Sequence, residues 1–212
     1  MIYSPTYYYE HRKELIYEII RDYSFATIIS QTSDGPIVSH LPLLLETTNE
    51  KEIFLLGHCA KANPHWKQFV DGQKLTAIFH GPHSYISPAW YEPKPDNVPT
   101  WNYATVHTQG IASVISAPEK AFEILRHTVQ HFENKYSTGW SLPEVPNKEL
   151  SQLLHQIVAF KIEVKDIQAK FKLSQKQNAT DRNNVVENLS KMNESQRDVA
   201  KLMYDVLESG VE

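Results

Sequence analysis

Leu15, Ile16, Ile19 and Ile20 recur at helical spacing behind the charged stretch Glu10 to Glu14, which predicts an amphipathic helix over about 9–22. The pattern then changes period. Segments 25–30 and 37–41 are rich in β-branched residues and flank Ser33-Asp34-Gly35-Pro36, where Asp-Gly suits the positive φ values of a tight hairpin turn. Segment 52–57 reads as a third strand, and Asn63 ahead of Pro64 predicts a short capped helix to about Phe69. Segments 75–79 and 84–87 follow as a fourth and fifth strand, and 103–115 as a long sixth. Between the last two, the proline-rich segment 88–99 cannot continue a ladder and predicts a surface loop able to cover a neighbouring pocket. Ser116 and Glu119 have capping-box spacing, and Phe122, Leu125, Val129 and Phe132 share one face, so a helix is expected over about 117–135. A shorter helix should follow over 147–155. Alternation at Val158, Phe160, Ile162 and Val164 predicts a final strand over 157–173, and the stripe Val199, Leu202, Met203, Val206 and Leu207 predicts a helix over 194–208. The pattern is that of an α+β chain, mainly antiparallel β, with a domain over 1–175 and a helical extension over 176–212 that packs on the body or on a partner chain.

Composition narrows the class. At 212 residues, 41% hydrophobic and 22% charged, the chain is long enough for a core and too balanced for disorder. A net charge of -4 is the wrong sign for a surface that attracts phosphate backbone everywhere, so any nucleic-acid contact must be local. A single cysteine, Cys59, cannot form an intramolecular disulfide, and neither a leader-like N-terminus nor a long apolar run is present. The expectation is a cytoplasmic protein with no membrane partner.

Candidate chemistry concentrates between His58 and His107: His58, Lys61, Asn63, His65 and Trp66, then 81–91, then 100–103. Aromatic rings mixed with small polar donors are what a pocket for a flat, partly polar ring system uses, although core or interface would use the same aromatics. The run Gly57 to Pro64 leads from strand into helix, where orphan N–H groups and Lys61 would suit a phosphate. No nucleotide fingerprint of the Gly-x-Gly-x-x-Gly or Walker type occurs. His127 and His131 are a helical turn apart but lack the inner glutamate of a His-Glu-x-x-His site, so no metal is expected. Cys59 reads as a small buried filler.

Several blocks together resemble the PaiB family of FMN-binding negative transcriptional regulators: Ser39-His-Leu-Pro-Leu-Leu-Leu45, Gly57-His-Cys-Ala-Lys-Ala-Asn-Pro64, Phe79-His-Gly-Pro-His-Ser-Tyr-Ile-Ser-Pro-Ala-Trp-Tyr91, Val98-Pro-Thr-Trp-Asn-Tyr103, Val106-His107, and Lys172-Leu-Ser-Gln175 with Asp181-Arg182. The resemblance implies a split β-barrel with flanking helices and a C-terminal helical tail, and a homodimer with FMN sites at the subunit interface. It places the flavin phosphate near His40, His58 and Lys61, and the ring near Trp101, Asn102, Tyr103, Lys172, Ser174 and Gln175. Asn63, Tyr85, Ser87 and Trp90 from the aromatic belt complete the candidate set. Phe171 departs from the family pattern, in which a tryptophan often precedes the Lys-Leu-Ser-Gln run.

The resemblance implies a dimeric regulator that binds FMN, or a similar planar phosphate-bearing ligand; the missing dinucleotide fingerprint and the proline-rich segment 88–99, with Trp90 and Tyr91 over the pocket, lead to the expectation that it does so without rapid turnover. DNA contact would fall to a local patch of Lys161, Lys165, Lys170, Lys172, Lys176 and Arg182. Two other readings are a flavin-dependent oxidoreductase or haem-handling enzyme, with His58, His83 and His107 as acid-base groups, and a ligand sensor acting through protein partners.

Overall fold

The computed structural model describes residues 2–48, 52–69, 72–92, 97–142 and 147–208. Its strands are β1 (Tyr9–Glu10), β2 (Phe25–Thr32), β3 (Gly35–Pro42), β4 (Leu44–Thr47), β5 (Ile53–Ala60), β6 (Lys74–Ile86), β7 (Thr100–Val114) and β8 (Ile157–Lys172). Its helices are α1 (Lys13–Asp22), α2 (Pro118–Tyr136), α3 (Asn147–His155), α4 (Ala179–Ser190) and α5 (Glu194–Glu208). The strand order is β3-β2-β6-β7-β8-β5-β4, with β1 paired to β8. The chain divides into two units: a first of Met1–Asp22, His80–Val106 and Gln168–Glu212, and a second of Tyr23–Phe79 and His107–Ile167. Strands β6, β7 and β8 each run from one unit into the other.

In the second unit the β2–β3 hairpin forms as expected, but its turn closes differently. Thr32 pairs with Gly35, leaving Ser33-Asp34 as the loop, and only Gly35 has a positive φ, at 119°. The Thr32 hydroxyl donates to the Gly35 carbonyl (2.7 Å) and accepts from the Asp34 N–H (3.2 Å), doing locally what two positive φ values were expected to do. Strand β5 runs on to Ala60 because β8 pairs with it as far as Ile157. Leu43, Leu55, Phe69, Phe79, Phe160 and Ile162 are buried here, with Phe69 and Phe160 ring centroids 4.8 Å apart. Each such side chain contributes on the order of 1.5–3 kcal/mol of burial free energy. Helix α2 begins with Pro118 in its first turn behind Ala117, which makes no side-chain cap, so the Ser116–Glu119 box is not formed. It ends at Ser137, whose φ of 52° lets the Thr138 N–H reach the Glu133 carbonyl at 3.3 Å.

In the first unit α1 starts at Lys13, later than the apolar spacing suggested, because Tyr9 and Glu10 are taken by β8: they pair with Lys170 and Ala169. The Glu10 carboxylate accepts from the His11 and Arg12 N–H groups (2.9 and 2.8 Å) and turns the chain into the helix. Ile16, Ile19 and Ile20 are its buried face. The two strands expected at 75–79 and 84–87 are one: Gly81-Pro82 does not break β6, and Pro82 lies beyond Ile78, where the ladder with β2 ends. Helix α4, which the apolar pattern did not single out, starts where Asn178 Oδ1 accepts from the Asp181 N–H at 2.9 Å. In α5, Val199 and Met203 are fully buried, and the Arg12 guanidinium donates to the Val206 carbonyl at 3.2 Å. Among the described residues no helix is long and apolar enough to cross a membrane.

Candidate functional site

Strand alternation sorts the aromatic belt of the first unit into two faces. On β6, Pro82, Ser84 and Ile86 are buried while His83 and Tyr85 are exposed; on β7, Asn102 and Ala104 are buried while Trp101 is exposed and Tyr103 half-buried. The outer face carries a ring cluster: the Trp101 centroid lies 5.8 Å from His83 and 6.2 Å from Tyr85, the latter edge-on. Trp101 is 51% and Tyr85 48% exposed, large apolar area presented to solvent. Trp101, Asn102 and Tyr103 therefore do not make one ring-binding face. Asn102 is fully buried on the opposite side, where its amide donates to Ser174 Oγ (2.9 Å) and lies 3.4 Å from Met203 Sδ, and the Ser174 hydroxyl donates back to Asn102 Oδ1 (3.2 Å).

The Lys172-Leu-Ser-Gln175 run is likewise spent on structure. Ser174 takes a left-handed φ of 62°, and Gln175 Oε1 accepts from the Leu173 N–H at 2.7 Å while its amide donates to the Phe171 carbonyl. Phe171 itself is buried core. Asp181, also buried, accepts from the Glu92 N–H (2.7 Å) and the Asn178 amide (2.9 Å), and Arg182 donates to the Gln177 carbonyl (2.6 Å). Ser87 Oγ caps the turn that carries the half-buried Trp90 by accepting from the Ala89 N–H at 3.2 Å. Lys172 is hydrogen-bonded to the Thr100 hydroxyl. Residues 93–96 of the proline-rich segment lie outside the described residues; of the two side chains expected to cover a pocket, Tyr91 is buried and Trp90 half-buried.

In the second unit Gly57 is not the glycine of an anion loop. It sits within β5, where a Cβ would come within 2.7 Å of Leu43 Cδ2 and 3.0 Å of Phe160 Cζ, so its role is close packing. The N–H groups of Lys61, Asn63 and His65 are all taken, by the Gln156 carbonyl (2.7 Å), the Ala60 carbonyl (2.9 Å) and Asn63 Oδ1 (3.0 Å). Fully buried His65 spans two serines, Nδ1 at 2.8 Å from Ser39 Oγ and Nε2 at 2.9 Å from Ser30 Oγ, and the Asn63 amide donates to the same Ser39 Oγ at 3.0 Å. The arrangement that satisfies every group has the Ser39 hydroxyl donating to Nδ1 and Nε2–H donating to Ser30. Burial lowers the His65 pKa and keeps the ring neutral. Burial also lowers that of His58, whose Nδ1 is buried without a hydrogen-bond partner. His40 is exposed and stacks near Phe25 (6.3 Å), and Lys61 is exposed. Burial pushes the Cys59 thiol up to about 11, which leaves no thiolate for nucleophilic work near neutral pH.

The candidate residues are thus divided. His40, His58, Lys61 and Asn63 belong to the second unit; Tyr85, Ser87, Trp90, Trp101, Asn102, Tyr103, Lys172, Ser174 and Gln175 belong to the first. Of the basic patch, Lys161 and Lys165 belong to the second unit, where Lys165 is paired with Glu163, and the other four to the first. Among the described residues no group of His, Cys, Asp and Glu could hold a metal ion. Sequence reasoning did not single out Tyr8; the signal was the unbroken Tyr7-Tyr8-Tyr9 run.

A family model described as "Putative FMN-binding domain" matches residues 2–166. The protein "Protease synthase and sporulation protein PAI 2" of Bacillus subtilis is 36% identical over 211 residues, covering 99% of this chain and all of its own. The chain belongs to the PaiB family. Two solved structures share the fold at low identity. The flavocytochrome Anf3 of Azotobacter vinelandii has a TM-score of 0.62 at 14% identity, covering 85% of this chain and 77% of its own. The FAD and heme binding protein of Mycobacterium smegmatis has a TM-score of 0.60 at 12% identity, covering 82% and 78%. The fold class is the split barrel of flavin-binding proteins, and the domain that PaiB members carry is of the FMN-binding type. The residues present suit that cofactor: an exposed ring cluster for a planar heterocycle, and a buried Tyr91 hydroxyl with no hydrogen-bond partner.

Proposed function

We propose that this protein is a cytoplasmic, homodimeric regulator of gene expression that binds FMN as a sensed ligand and does not turn it over rapidly. The observation that carries the reading is the exposed Trp101–Tyr85–His83 cluster, a stacking surface that costs solvation unless a flat ligand or partner covers it. The Bacillus subtilis relative, whose name ties it to protease synthesis and sporulation, supports a regulatory role. Of the expected basic patch, Lys170 is buried, so DNA would be met in the first unit through Lys172, Lys176 and Arg182. Phe25 and Val38, 64% and 49% exposed on the β2–β3 hairpin at the β3 edge of the sheet, support a second copy as partner. Bound FMN would supply reversible electron acceptance; the chain's own residues supply the stacking surface.

Titrating the purified protein with FMN while following flavin fluorescence tests the reading. Saturable quenching is expected, and Trp101→Ala should weaken binding by roughly tenfold, the order of one ring-stacking contact. Affinity unchanged in that variant would remove the ring cluster from the site. Steady-state oxidation of reduced nicotinamide cofactors with added FMN should stay at background, whereas turnover of about 1 per second or faster would establish an enzyme.

A further inference from the structure

The first unit contains a buried cation, Lys170, with which no carboxylate among the described residues forms an ion pair. Lys170 is 9% exposed; its ammonium donates to the Tyr3 carbonyl at 3.0 Å and lies 5.5 and 5.4 Å from the ring centroids of Tyr3 and Tyr103. An ammonium has three donors, so ring faces and one carbonyl leave it under-coordinated. Among the described residues, none of Lys170, Lys172 and Lys176 forms an ion pair with a carboxylate. Lys176 lies 3.8 Å from the Tyr7 ring centroid and is hydrogen-bonded to Tyr7, whose ring is 4.3 Å from that of Tyr8, and Tyr8 interacts electrostatically with Lys176, Tyr103 and Tyr91. Tyr91 is 1% exposed, and its hydroxyl has no hydrogen-bond partner, which leaves a buried donor open to a ligand.

We infer that Lys170, Lys176 and the hydroxyls of Tyr8, Tyr91 and Tyr103 form an oxyanion site of the phosphate class. Two ammonium groups supply the charge, and the phenols supply neutral donors for the remaining oxygens. The carrier of the oxyanion is either FMN, through its phosphate, or a free phosphate-bearing ligand. Only the first of these rests on the flavin reading, and the experiment separates them.

The test measures binding of FMN, riboflavin and inorganic phosphate to the intact chain and to Lys170→Met, Lys176→Met and Tyr91→Phe, by flavin quenching and by the shift in melting temperature. If the site takes the FMN phosphate, FMN binds roughly tenfold or more tighter than riboflavin, phosphate competes with FMN, and each variant lowers the FMN-to-riboflavin ratio several-fold while riboflavin affinity stays level. If flavin does not bind but phosphate raises the melting temperature of the intact chain and not of Lys170→Met or Tyr91→Phe, the oxyanion site stands and the flavin reading fails. Lys170→Met also strips buried contacts that hold the fold, so Tyr91→Phe and the surface change Lys176→Met carry the decision. Tyr91→Phe removes one oxygen that nothing in the protein bonds, so it should melt no lower than the parent. Equal affinity for FMN and riboflavin with no response to phosphate, or full phosphate preference retained in both Tyr91→Phe and Lys176→Met, overturns the inference.

Discussion

Among the described residues each unit leaves two buried polar side-chain atoms without a hydrogen-bond partner, and the units differ in what stands beside them. In the second, Ser30, Ser39, Asn63 and His65 close a network in which every partner lies within the unit, and the N–H groups of the neighbouring turn are bound to carbonyls or to Asn63. Among the described residues, His58 Nδ1 and His131 Nε2 are the exceptions. In the first, the Asn102–Ser174 pair and the Asp181 knot are equally closed, but beside them stand a buried Lys170 with no ion pair among the described residues, an unbonded Tyr91 hydroxyl and a half-exposed Trp101. Polar density in the sequence is therefore a poor guide to ligand contact. What marks a binding surface is capacity left unused after the fold has satisfied itself.

The sharpest break of this comparison is His65→Ala. It strips partners from Ser30 and Ser39 and opens a hole in a fully buried site, so a loss on the order of 3–5 kcal/mol is expected in urea unfolding. Trp101→Ala, in contrast, removes a ring that is 51% exposed and should alter stability by less than about 1 kcal/mol while weakening FMN. A destabilised Trp101 variant, or a tolerated His65 variant, would reverse the assignment of structural and binding roles to the two units.

Acid should separate the units next. His58 and His65 both have folded pKa values lowered from 6.5 by burial. As pH falls through 6.5, the unfolded chain takes up protons that the folded second unit refuses, so stability is lost in that direction; above 6.5 these groups add no pH dependence. The slope should approach about 1.4 kcal/mol per pH unit for each histidine held neutral. In the first unit burial raises the Glu10 pKa, but the hydrogen bonds and charge of Arg12, with the His11 N–H, together hold it below 4.5. Its contribution is present above 4.5 and lost only as pH falls further. Hydrogen exchange read peptide by peptide between pH 8 and 4 should show the second unit loosening first, and simultaneous loosening of both would refute this.

Much of this architecture was legible because burial and period coincide. The hairpin, β7, β8 and α5 all lie where alternation or helical spacing put them. The misreadings have local causes. Gly81-Pro82 looks like a break, yet Pro82 lies past the paired stretch with β2; α4 has no strong apolar stripe, and its start is announced only by Asn178. Removing that cap by Asn178→Ala should cost about 1 kcal/mol, read as a shift in the urea midpoint. Within the candidate site, alternation alone separates Asn102 from Trp101 and Tyr103, whereas nothing in the chain order announces that Tyr8 comes within electrostatic range of Tyr91 and Lys176, because that depends on the N-terminal segment pairing with β8 at Lys170.

The smallest expected effect is the most discriminating. Lys61 lies in the turn that the family motif suggested for phosphate, but its backbone N–H is fixed to the Gln156 carbonyl, its side chain is exposed, and the neighbouring Asn63 and His65 N–H groups are already bonded. A solvated lysine without converging donors holds an anion weakly, since water screens its charge and no second contact fixes the geometry. Lys61→Ala should therefore change stability by less than about 0.5 kcal/mol. Its effect on FMN affinity should stay within about twofold, well below the several-fold losses expected at Lys176 and Tyr91. A tenfold loss of FMN affinity in Lys61→Ala, with riboflavin affinity unchanged, would move the phosphate to the second unit and make the first unit's lysines a surface for another partner.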